Sequence, residues 1–170
     1  MATYIQIGST VTVGGGGTSA IEFTSIPSTY TDLVVLASTR TSRNTTYTGN
    51  MQVQFNSSTS SYSSKWLRTA GTAVETYSPT AIEFGAPTAY GTANTFGNAA
   101  IYIPNYAGST YKSVSIDSVI EYNNANQFNY LTAGLWSNTA AITSIKIITS
   151  DAGFNIEQYS TASLYGIKKD

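Results

Sequence analysis

The sequence predicts an all-β chain, an antiparallel β-sandwich of the jelly-roll type folded as a single domain. Three observations carry that expectation. Apolar and polar residues alternate with period two, and no long segment repeats apolar residues at i, i+3, i+4 and i+7. The alternating runs are rich in β-branched and aromatic side chains, which fit a pleated and half-buried surface. Turn signals separate the runs at intervals of about 8 to 20 residues, the spacing of two stacked antiparallel sheets.

Taken in order, the predicted strands are Tyr4 to Val13, Ala20 to Thr24, Leu33 to Arg40, Met51 to Phe55, Lys65 to Thr69 and Thr80 to Phe84, then Ala99 to Ile103, Ser113 to Ile120, Tyr130 to Trp136, Ile142 to Thr149 and Ala162 to Lys168. The clearest is the run through Ser113, where Val114 and Ile116 face one way while Ser113, Ser115 and Asp117 face the other, the pattern of a strand wetted on one side. The run Ile142 to Ile148 alternates less regularly, as a bulge or burial on both faces would require. Between strands lie Gly14 to Gly17, Ile26 to Thr29, Asn56 to Ser61, Ser78-Pro79, Gly85 to Pro87, Pro104-Asn105 and Asp151 to Gly153, all turn formers. Residues 1–17 read as an arm with a glycine-rich hinge. No fixed-period repeat is visible, which disfavours propellers and solenoids.

Composition narrows the chemistry. The chain has 170 residues and 41% hydrophobic content, enough for a core that needs no disulfide, but only 10% charged residues where about 25% is usual. A surface so poor in charge must be covered by neutral polar groups or by neighbouring chains. Eight Lys plus Arg against nine Asp plus Glu leave a net charge of -1 and no basic tract, so nucleic acid is not an expected ligand. No run of apolar residues is long enough to span a membrane as a helix. The first residues lack the features of a secretory signal, and synthesis in a cytoplasm is expected.

There is neither Cys nor His, which removes the usual base for a serine or cysteine nucleophile and the usual ligands for zinc. Asp117 and Glu121 fall four residues apart on one strand, about 13 Å at ~3.3 Å per residue, beyond the roughly 5 to 9.5 Å that glycosidase carboxylates span. Gly14 to Gly17 resembles a phosphate loop only superficially, because no Gly-Lys-Ser/Thr follows and the next residues are strand-like. Neither a catalytic centre, a metal nor a cofactor is expected.

What remains is contact chemistry. Four long segments carry no charge: Met1 to Ile21, Asn44 to Ser64, Phe84 to Tyr111 and Tyr122 to Ile145. Interface cores are depleted in charge and enriched in aromatic residues, so Tyr90, Phe96, Tyr106, Phe128 and Tyr130 are the candidate partner contacts. Trp66 and Trp136, with neighbouring tyrosines, are the candidate platform for a sugar ring. Arg40, Arg43, Lys65 and Arg68 are candidates for pairing with Asp32, Glu75 or Glu83 across an interface.

Several stretches together resemble virion surface proteins of tailed bacteriophages: Phe23-Thr24-Ser25-Ile26-Pro27-Ser28-Thr29-Tyr30-Thr31-Asp32-Leu33 followed by Arg40, then Phe55-Asn56, Ile101-Tyr102-Ile103-Pro104-Asn105-Tyr106, Ala141-Ile142-Thr143-Ser144-Ile145, and Ser163-Leu164-Tyr165-Gly166-Ile167. The resemblance implies a jelly-roll module, commonly a homotrimer, on the particle exterior as a capsid decoration (cement) protein, a head fibre or a tail-fibre tip. It implies no catalytic residue. With strand-like residues from Tyr4 onward and no fibre shaft before them, a cement protein bound to the major capsid protein on the outside of the virion is the first expectation. The alternative is a receptor-binding module for host surface carbohydrate.

Overall fold

The computed structural model describes residues 3–168. They form twelve strands and no helix: β1 (Thr3–Thr12), β2 (Ala20–Phe23), β3 (Asp32–Thr39), β4 (Thr48–Phe55), β5 (Tyr62–Ala70), β6 (Ala73–Tyr77), β7 (Ile82–Pro87), β8 (Gly97–Pro104), β9 (Lys112–Glu121), β10 (Gln127–Trp136), β11 (Ile145–Thr149) and β12 (Thr161–Lys168). Two antiparallel sheets result, one of eight strands in the order β1-β12-β3-β8-β9-β10-β5-β6 and one of four in the order β2-β11-β4-β7.

Period-two burial explains why these runs are strands and which way they face. In β9 every second residue from Lys112 to Ile120 is buried and the others are exposed. β4 and β8 alternate in the same manner. The buried set of the large sheet, including Leu33, Val35, Ile101, Ile103, Val114, Ile116 and Leu164, meets Ile21, Met51, Val53, Phe55, Ile82, Phe84, Ile145 and Ile147 of the small sheet in one core. Burying side chains of this kind stabilises by roughly 1.5–3 kcal/mol each.

Eleven of the strands fall within a few residues of the predicted runs. The twelfth, β6, is absent from the prediction. All five of its residues are exposed, so it has no apolar alternation to betray it. It exists because Gly71, at φ +60°, lets the chain reverse after β5, and Arg68 then pairs with Glu75 across the hairpin at 2.6 Å. Residues 3–12 of the expected arm pair along β12 as an edge strand, and Gly14 to Gly17 closes as a turn in which Gly17 N–H donates to the Gly14 carbonyl at 3.3 Å.

The small sheet's β7 edge is sealed by the large sheet. Thr132 Oγ1 donates to the Glu83 carbonyl at 2.8 Å and Ser64 Oγ donates to the Ala81 carbonyl at 2.6 Å, taking up acceptors that an edge strand leaves open. Close approach there requires glycine. A Cβ on Gly85 would stand 2.2 Å from the Tyr130 ring, and one on Gly134 would stand 2.9 Å from the Ile82 side chain.

Tyrosine supports the loops from inside. The hydroxyls of Tyr62, Tyr106 and Tyr122 each accept a backbone N–H, from Phe55, Tyr30 and Thr88 respectively, and each donates to a carbonyl: Ser58 or Phe55, Pro27, and Tyr47. Burial raises the pKa of all three above the ordinary tyrosine value. They therefore stay neutral donors at physiological pH.

Candidate functional site

Two surfaces stand out, the outward face of the eight-stranded sheet and a cleft at the loop end of the sandwich. On the outward face, cross-strand register sets Leu36 beside Ala100, then Asp117, Leu131, Leu67 and Thr76 in one row. Leu131 is 60% exposed, and Leu36, Leu67, Val119 and Tyr102 are also exposed. Outward positions of β3, β8, β9, β10 and β5 include four charged residues: Asp32 and Glu121 at strand ends, and Asp117 and Lys65 within. Charge is thus scarce where the sheet is broadest.

The cleft, about 390 Å³, lies where four connecting segments meet: the turn before β2, the chain after β3, the loop before β8 and the loop before β12. Arg40 organises it. Its side chain is 5% exposed, its Nε meets the Glu157 carboxylate at 2.7 Å, and its Nη1 donates to the Thr92 and Thr95 carbonyls at 2.8 and 2.9 Å and to Thr95 Oγ1 at 3.0 Å. Nη2 donates to the Gly91 carbonyl at 3.4 Å. Thr92 Oγ1 in turn donates to the Tyr122 carbonyl at 2.7 Å, so one guanidinium fixes the loop before β8 against the loop before β12.

Lys112 plays a comparable part at another loop pair. Its side chain is fully buried, and Nζ donates to the Gly108 and Thr110 carbonyls at 2.7 and 2.5 Å and to Thr139 at 3.4 Å. Desolvation lowers its pKa. Three carbonyl acceptors oppose that pull by stabilising the ammonium.

The structure separates the sequence-predicted contact residues. Tyr90 is exposed, with its ring 4.8 Å from Tyr47. Phe96 and Phe128 are half-buried, the first on the cleft wall and the second beneath the Arg68 guanidinium. Tyr106 and Tyr130 are buried and corrected as partner contacts: the hydroxyl of Tyr106 bridges Tyr30 and Pro27, and the ring of Tyr130 packs on Gly85 and Trp66. Trp66 and Trp136 are likewise corrected as a sugar platform. Trp136 stacks on Tyr62 and meets Phe55 at a tilt of 55° in the main core, and Trp66 sits with Ile120, Tyr122 and Tyr130 in a smaller one.

The expected ion pairs across an interface are internal instead: Arg40 with Glu157, Arg43 with Asp151 and Arg68 with Glu75. Asp32 accepts from Tyr102 Oη and Asn105 N–H. Glu83 accepts from Asn50 Nδ2 at 3.4 Å, and its pKa is raised by burial and by the nearby Asp151 carboxylate. Among the described residues no three Asp, Glu, Cys or His side chains cluster as a metal site.

The loop-end cleft is the feature that sequence reasoning missed. Its residues are far apart in the chain, and the only signal was Gly16-Gly17 facing an Asn-Gln-Tyr-rich segment. No protein-family model, curated protein or solved structure matches this chain.

Proposed function

We propose that this chain is a non-enzymatic structural subunit of a bacteriophage virion, a jelly-roll capsid decoration protein that assembles as a homotrimer and binds the major capsid protein on the outer lattice. The observation that carries the proposal is the broad, charge-poor outward face of the eight-stranded sheet. Its five central strands at ~4.8 Å spacing and about 8 residues of ~3.4 Å each present a footprint of roughly 650 Å², close to the ~800 Å² per partner of a stable interface. Sister copies are its occupants: around a three-fold axis one side of this charge-poor face meets the other side of a neighbour's, and three carboxylates and one ammonium spread over five strands bring less like-charge repulsion than an ordinary surface does.

The jelly-roll assignment draws support from the winding. The first four strands, β1 to β4, pair antiparallel with β12, β11, β8 and β7 in turn, as a long hairpin rolled into two sheets would give, and the hairpins β5-β6 and β9-β10 extend the larger sheet. The virion setting rests on the sequence resemblance. Mechanistically the role is adhesive. Multivalent contacts of a trimer raise modest single-site affinity into durable attachment.

The test is retention. Purified protein mixed with undecorated capsids and, separately, with host cells should co-sediment with the capsids and increase their resistance to heat. Retention by cells alone overturns the proposal.

A further inference from the structure

We infer that the loop-end cleft is a binding site for a neutral saccharide. It uses none of the outward residues of the eight-stranded sheet and so does not depend on the decoration reading. It also moves the expectation of a carbohydrate site from the buried Trp66 and Trp136 to other residues.

The walls supply what a sugar ring needs. Phe96 and the 66% exposed Tyr159 offer aromatic faces for the C–H side of a pyranose. Between them stand the side-chain amides of Asn94, Asn155 and Gln158, which make no hydrogen bond to another described residue. Each amide carries both donor and acceptor, matching the paired capacity of a sugar hydroxyl. Gly17 also lines the cleft, and its φ of +74° together with an Ile156 carbonyl 2.7 Å from where a Cβ would stand keeps this position free of a side chain.

Charge excludes the obvious rival. An anion such as phosphate would be repelled by the Glu157 carboxylate in the cleft wall and would find no spare cation to offset it, because every nitrogen of the Arg40 guanidinium is already engaged by Glu157 or by loop acceptors. A neutral ligand leaves that network intact. A volume near 390 Å³ suits one or two sugar units.

The site is also preorganised. Tyr159 adopts φ +71°, a conformation costly for an aromatic residue, and is held there by its N–H bond to the Val13 carbonyl at 2.9 Å. Ser42 and Asn155 are joined twice, Ser42 N–H to the Asn155 carbonyl at 2.8 Å and Asn155 N–H to Ser42 Oγ at 2.9 Å. Such fixed walls reduce the ordering that binding would otherwise require.

The experiment is saturation-transfer NMR on the full chain with glucose, galactose, mannose, N-acetylglucosamine and rhamnose, with inorganic phosphate and adenosine monophosphate as competitors. At least one sugar should show transfer, strongest at its aliphatic ring protons, and neither competitor should displace it. Tyr159→Gly, which suits the left-handed backbone, and Gln158→Ala, at an exposed side chain, should each weaken binding roughly tenfold, equivalent to about 1.4 kcal/mol. Transfer from none of the sugars, transfer unchanged in both variants, or displacement by either competitor would overturn the assignment.

Discussion

Replacing Gly85 with alanine should destabilise the protein severely, and through a single neighbour. Gly85 lies in β7 with no unusual φ, so alanine suits the backbone and only space opposes it. The new Cβ would lie 2.2, 2.6 and 2.7 Å from three atoms of the Tyr130 ring, all well inside the ordinary contact distance of 3.4 Å and the nearest by more than 1 Å. The ring cannot swing aside freely. It is 2% exposed, lies 5.6 Å from the Trp66 ring, and its hydroxyl accepts from Arg68 Nη1 at 2.9 Å.

Overpacking of this kind costs about 3 kcal/mol. An unfolding entropy of about 2.1 cal/mol/K per residue makes each kcal/mol worth ~3 °C in a chain of this length, so Tm should fall by roughly 8 °C. Urea denaturation of a double-mutant cycle is the assay. In a Tyr130→Ala background the same Gly85→Ala change should cost less than about 0.5 kcal/mol, leaving a coupling of roughly 2.5 kcal/mol. An equal cost in both backgrounds, or no cost in the parent, would refute the reasoning.

Arg40→Met should lower stability by about 2–3 kcal/mol, below the usual toll of a broken buried pair because Glu157 keeps some water, and hydrogen exchange should rise across residues 91–95. Arg40→Lys should not restore that protection, since one ammonium cannot reach acceptors spread over the guanidinium's fork. Glu83→Gln tests the buried carboxylate. Because the folded pKa is raised above the ordinary 4.5, the folded state binds more protons between those two values, and stability falls as pH rises through that window. The variant should therefore melt ~1–2 °C above the parent at pH 7, with the difference vanishing below pH 4.5.

Strands with one wet face were legible because burial writes itself into the sequence as alternation, as in Val114 to Ile120. What alternation omits is the identity of the neighbour. Nothing in the run around Leu36 or Leu131 states that both belong to one eight-stranded sheet, and β6 shows no alternation because neither face is buried. Aromatic residues misled for a related reason. An apolar ring with a polar tip serves equally on a surface or under a loop, and Tyr106 and Tyr130 turned out to be buried. The cleft was illegible because Arg40, Phe96 and Tyr159 meet only after the loops are laid side by side.

The most direct measurement is solution mass by sedimentation equilibrium, for the parent chain and for Leu131→Glu, whose new carboxylate would sit beside Asp117 at the middle of the outward face without disturbing the core. The account predicts a trimer for the parent and a folded monomer for the variant, with matching circular dichroism. A parent chain that stays monomeric at high concentration, or a variant that keeps the parent's mass, would contradict it.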